Sequence, residues 1–114
     1  MPMLKLFLNT SVAADEHASA LAELSATVAN SLGKPERYMM VSLHPDTPLM
    51  FSGNASPTAA ADVASIGLTA SQTPALAASL CAVIERRFAI PADRIYITFR
   101  DVERAFWGWN GGTF

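Results

Sequence analysis

The chain alternates short apolar runs with longer one-sided apolar stripes, and the two patterns predict different elements. Residues 3–8 are apolar around a single charge, Lys5, and predict a strand. Ser11 and Asp15 are candidate helix starts. Beyond them Ala18, Leu21, Leu24, Val28 and Leu32 recur at helical spacing, Gly33 suits the position just past a helix, and Pro35 prevents continuation. Residues 38–44 form a continuous apolar run stopped by Pro45, the pattern of a buried strand. Residues 45–57 read as loop. Thr73 reads as an N-cap with Pro74 behind it, and Leu76, Leu80, Val83, Ile84 and Phe88 give a second helical stripe ended by Pro91. Ile95–Phe99, β-branched and aromatic, predict a strand. Only 58–66 is ambiguous: its alanines favour helix, yet it is short and has no convincing stripe.

The order is strand, helix, strand, weak strand, helix, strand. Each helix is followed by a proline and an arginine, Pro35 with Arg37 and Pro91 with Arg94. This pattern predicts one α/β domain over 1–114 built from duplicated βαβ units, about 2–50 and 57–105, with a glycine- and aromatic-rich tail at 106–114. The expected architecture is a four-stranded mixed sheet with both helices on one face. The other face is expected to present apolar residues that need cover, which argues for an oligomer.

Composition narrows the function. Hydrophobic residues make up 51% of the chain and charged ones 16%, with a formal net charge of -2. Disorder and phosphate-driven nucleic-acid binding are disfavoured. No apolar run approaches the ~20 residues of a membrane span. The N-terminal stretch lacks the basic region and cleavage pattern of a signal peptide, so a cytoplasmic location is expected, with any export unconventional. A single cysteine, Cys81, excludes a disulfide framework and sits in a stripe that predicts a small core residue. His17, expected on a solvated helix face, and His44, at a strand end, have no third ligand at a recognisable spacing, so neither a metal nor a cofactor is expected. Asp101 and Glu103 read as a solvated turn. One chemical candidate remains: Pro2 opens an apolar strand, and a small second residue generally permits removal of Met1, which frees a secondary amine.

Met-Pro-Met at 1–3, Gly-Lys-Pro at 33–35 with Tyr38, Ser-Ile-Gly at 65–67, Asp-Arg-Ile-Tyr-Ile at 93–97 and Gly-Trp-Asn at 108–110 closing on Thr113-Phe114 occur in order along the chain. Together they resemble the macrophage migration inhibitory factor family and its sister, D-dopachrome tautomerase. The resemblance implies a homotrimer of duplicated βαβ subunits and makes 58–66 a strand. It also implies keto–enol tautomerisation of phenylpyruvate-like and dopachrome-like compounds, with Pro2 as the base.

By the same resemblance Lys34 matches a carboxylate-binding lysine, Ile66 a pocket amide, Tyr96 a tyrosine lent by a neighbouring subunit, and Trp109 and Phe114 the aromatic walls. A pocket asparagine of some members falls at Thr98, which has no amide. Vertebrate members often carry a CxxC where this chain has Thr58-Ala59-Ala60-Ala61, so a thiol-oxidoreductase side activity is not expected. Phe106 and Trp107 are bulky for a pocket rim. The alternative the resemblance raises is a cytokine-like, receptor-binding protein with vestigial catalysis, although no residue pattern here encodes a receptor.

Overall fold

A computed structural model describes residues 1–114. Its strands and helices are β1 (Pro2–Leu8), α1 (His17–Leu32), β2 (Met40–His44), β3 (Ala59–Ile66), α2 (Thr73–Phe88) and β4 (Ile95–Val102), followed by a small hairpin of β5 (Gly108–Trp109) and β6 (Gly112–Thr113). The main sheet has the order β2-β1-β3-β4. β1 runs parallel to β2 and β3 parallel to β4, as two βαβ units require, and the units meet through the antiparallel pair β1–β3. The duplicated four-stranded architecture expected from the pattern is therefore present.

The core lies between the sheet and the helices. Leu4, Leu6 and Leu8 of β1 are fully buried, as are Leu24 and Val28 of α1 and Leu76, Leu80 and Ile84 of α2. The period of two along β1 places the leucines on one face and Met3, Lys5 and Phe7 on the other. Each fully buried leucine contributes roughly 1.5–3 kcal/mol. β3 is a strand despite its alanines. It lies between β1 and β4 with both edges hydrogen-bonded, and Ala59, Ala61 and Val63 pack into the same core. In a central strand, pairing and burial outweigh the helical preference of alanine. Cys81 is half-buried against this core. Burial first, then the nearby Glu85 charge, raises its thiol pKa, so it is not an activated nucleophile.

Several expectations need correction. β2 begins at Met40 because Glu36–Tyr38 form a 3-10 turn. It is an edge strand whose residues are exposed or half-buried, because nothing in this chain covers its outer side. Ala18, in the first turn of α1, is exposed, and Ala20 starts the buried row instead. Neither Ser11 nor Asp15 caps α1: the Ser11 hydroxyl bonds Asp46, and Asp15 lies within a 3-10 turn. The capping box before α2 is made by Thr69 and Gln72, four residues ahead of Thr73, because a 3-10 turn precedes the helix. His17 is not free in solvent: its Nε2 lies 3.0 Å from the Val12 carbonyl oxygen. The sheet face away from the helices is not simply apolar. Lys5, Asp62, Thr98 and Arg100 interrupt it, with the Arg100 guanidinium held to Asp62 at 2.8 Å.

The duplication extends to the helix ends. Gly33 closes α1 at φ 64°, and Ala89 closes α2 in the same left-handed conformation at φ 55°. Glycine adopts this region freely, whereas alanine incurs a cost of roughly 1–2 kcal/mol. Ala89→Gly is therefore expected to stabilise the protein by about 0.5–1 kcal/mol, after the extra freedom of glycine in the unfolded chain is subtracted. Urea denaturation checks this: an unchanged or lower midpoint would show that the end of α2 has absorbed the strain.

Candidate functional site

The first residue of β1, Pro2, is fully buried. Strand pairing fixes it on one side, where it lies opposite Ser65 of β3. A cleft of about 220 Å³ opens beside it, and its walls include Tyr38, Met40, Trp107, Trp109 and Phe114. Two local structures bring these groups together. The turn over 36–38 projects Tyr38 from between α1 and β2. The tail folds back through Asn110 and Gly111, both at positive φ, in the two-residue hairpin turn that Asn-Gly favours. The hairpin stacks Trp109 on Phe114 with ring centroids 5.5 Å apart, and both rings meet Tyr38 edge-on at 5.8 and 6.2 Å. Each such pair contributes about 0.5–1.5 kcal/mol beyond its buried area. The Phe114 amide also donates to the Trp107 carbonyl at 3.2 Å, which ties the last residue to the wall.

Lys34 and Ile66 form the polar part of this end of the sheet. The Lys34 ammonium donates to the Ile66 carbonyl at 3.3 Å, joining the end of α1 to the end of β3. The α-amino group of Met1 has its pKa pushed below the ordinary value, first by burial and then by the Lys34 charge. Both causes disfavour the ammonium form.

The structure therefore brings Pro2, Trp109 and Phe114 into one cleft and sets Lys34 and Ile66 close enough for the lysine charge to act there. It does not bring in Tyr96 or Thr98 from the same chain. Tyr96 is level with Ala60 and Phe7, five residues along the sheet from Pro2, which is roughly 17 Å at about 3.3 Å per residue. It is 68% exposed and packs edge-on against Phe51 with centroids 4.8 Å apart. Thr98 lies on the sheet face away from Pro2, where its hydroxyl donates to Asp62 at 3.2 Å. Trp107 lines the cleft as a rim residue, but Phe106 does not and is 79% exposed.

The cleft also includes Arg37, Met39 and Met40, which the sequence pattern did not single out as site residues. The available signal was their position just after Lys34-Pro35, where a turn must carry the chain past the start of β1. The remaining candidates are occupied elsewhere. Asp101 accepts the Gly67 amide at 3.0 Å, and His44 stacks on Phe7 with centroids 4.5 Å apart. No helix is long and apolar enough to cross a membrane.

Comparison with known proteins agrees with this geometry. The family profile described as macrophage migration inhibitory factor matches residues 1–114. The chain is 37% identical to macrophage migration inhibitory factor of Rattus norvegicus over 116 aligned positions, covering 100% of this chain and 99% of the relative. Among solved structures, the macrophage migration inhibitory factor homologue of Prochlorococcus marinus superposes with a TM-score of 0.93 at 46% identity, covering 98% of each chain. The protein from Trichinella spiralis superposes with a TM-score of 0.90 at 34% identity, covering 98% of this chain and 99% of that one. A match over the full length, with the same fold and at these identities, places this chain in the macrophage migration inhibitory factor family.

Proposed function

We propose that this protein is a keto–enol tautomerase for phenylpyruvate-like 2-keto acids, with Pro2 as the general base once Met1 has been removed. The observation that carries the reading is a proline buried at the start of β1, beside an aromatic cleft, where burial and Lys34 already depress the terminal amine. Tautomerisation moves one proton between the carbon beside a carbonyl and the carbonyl oxygen, and it requires no cofactor. The base must be neutral to accept that proton, and it works best when its pKa lies near the working pH. With Met1 gone, the Pro2 nitrogen becomes the chain's amine at the head of the same buried strand, where burial and the Lys34 charge would lower its pKa in turn. In the keto-to-enol direction the lone pair takes the proton from carbon and the resulting ammonium returns it to oxygen; in the reverse direction, read as loss of enol, the same nitrogen takes the hydroxyl proton and delivers it to carbon. With Met1 retained, the nitrogen is an amide and has no basic lone pair.

Lys34 binds the substrate carboxylate in this scheme, assisted by the Ile66 backbone, and the Trp109 and Phe114 rings hold the aryl group. Tyr96 and Thr98 can take part only from a neighbouring subunit, because they lie far along the sheet or on its other face in their own chain. The proposal therefore includes a homotrimer in which the half-exposed edge strand β2 and the exposed Tyr96 meet other protomers. Such an assembly completes each site with a neighbour's residues.

The pH profile gives a test. A cation whose pKa is lowered in the folded state binds its proton less readily there than in the unfolded chain. Between the two pKa values the unfolded state holds more protons, so stability rises with pH across that window. Activity has the same sign: kcat/KM for phenylpyruvate is expected to rise with pH as the amine loses its proton, with a midpoint below that of an ordinary amine of the same kind. Lys34→Ala removes one of the two depressing causes. The midpoint is expected to move upward and KM to rise. Loss of the enol absorbance, followed across pH, measures both. A midpoint that does not move in the variant would remove Lys34 from this role.

A further inference from the structure

The cleft beside Pro2 has one charged side chain on its lining, Arg37. Its guanidinium stands over the Tyr38 ring, 4.8 Å from the centroid. The chain's ion pairs are Arg86–Glu23, Arg87–Glu23 and Arg100–Asp62, and Arg37 belongs to none of them. The adjacent Glu36 makes no ion pair with it; the Glu36 carboxylate turns to the Ser25 hydroxyl, from which it accepts a hydrogen bond at 2.8 Å. Arg94, in the corresponding turn of the second repeat, provides a contrast. It donates to the backbone carbonyls of Phe51, Asn54, Ser56 and Pro57, so it is a structural tie for the 51–57 loop. Arg37 has its fork of donors free, lies over an aromatic ring, and lines a cleft that holds no other charged side chain.

We propose that Arg37 is a second anion anchor, and that the preferred substrates are aryl or conjugated 2-keto acids with a second anionic group at the end distant from the keto acid. This rests on the tautomerase reading of the same cleft. Lys34 holds the keto-acid carboxylate near Pro2, the aromatic body lies along Tyr38, Trp109 and Phe114, and the far anion reaches Arg37. A guanidinium already held over a ring can bind a carboxylate in bidentate fashion with little further ordering. A cleft of about 220 Å³ has room for one ring and short substituents, so the second anion must be close to that ring.

The experiment compares phenylpyruvate with 4-carboxyphenylpyruvate on the protein lacking Met1, as wild type, Arg37→Ala and Arg37→Lys. Wild type is expected to favour the dianion in kcat/KM. Arg37→Ala should lower the dianion-to-monoanion selectivity about tenfold, through KM for the dianion, and Arg37→Lys should restore part of it. A selectivity unaffected by Arg37→Ala overturns the proposal. Direct binding of the two acids, followed by NMR titration, separates this idea from the reading beneath it. If neither acid is turned over but the dianion binds more tightly in an Arg37-dependent way, the anchor stands and the tautomerase reading falls. If both acids are turned over with no Arg37-dependent preference, the tautomerase reading stands and the anchor falls.

Discussion

Pro2→Gly, prepared without Met1, is expected to lose about 10²–10⁴-fold in kcat/KM for phenylpyruvate, the usual contribution of a positioned general base. The reasoning is geometric. Pro2 is fully buried by its place at the head of β1, and its ring ties the nitrogen rigidly to the strand, which is what the proposed base requires. Glycine leaves a primary amine on a more mobile terminus, so both the position and the basicity of the nitrogen change. The sheet is anchored by Leu4, Leu6 and Leu8, and the fold should survive. Enol loss at saturating and limiting phenylpyruvate, with sedimentation to confirm the assembly, checks the result. Full activity in a correctly assembled variant would remove Pro2 from the chemistry. Mass spectrometry of the terminus must accompany the assay, because a retained methionine abolishes the base by acylating its nitrogen.

Leu6→Ala is expected to destabilise the protein by about 2–5 kcal/mol, which is a large share of the roughly 5–15 kcal/mol available to a domain. Leu6 is fully buried in a central strand, paired with Leu43 of β2 and Ala61 of β3. On the β3 side the neighbour is Ala61, so no large side chain stands on that side to fill the void. Urea denaturation at several protein concentrations measures the loss and separates protomer stability from assembly. A change under about 1 kcal/mol would mean that α1 and α2 settle onto the sheet and close the cavity.

Much of the fold was legible because periodicity reports burial directly. The rows Leu24–Val28–Leu32 and Leu76–Leu80–Ile84 marked the core faces of both helices, and Gly33 marked the end of α1. The errors occurred where local signals compete. Thr69 rather than Thr73 caps the approach to α2, since a single turn of 3-10 helix is invisible to a helical period. The apolar run over 38–44 suggested a strand buried on both sides, yet β2 lies at an edge and stays half-exposed in one chain. The open sheet face was expected to be apolar, but Asp62, on β3, gathers Arg100 and Thr98 of β4.

The sequence by itself determined the βαβ repeat, the helix faces and the position of Pro2 at a strand start, because each depends on residues close together in the chain. Local propensity left alanine-rich 59–66 open and only the family resemblance implied a strand; the tertiary structure supplies the reason, since pairing on both edges overcomes the helical preference. It also decided which distant groups share a cleft. Residues 2, 37–40, 107–109 and 114 meet because β1 lies beside β2 and an Asn-Gly turn folds the tail back, whereas Tyr96 stays about 17 Å further along the strand direction, on the far strand of the sheet. Register and chain reversal set those distances, and neither is a property of any single stretch of sequence.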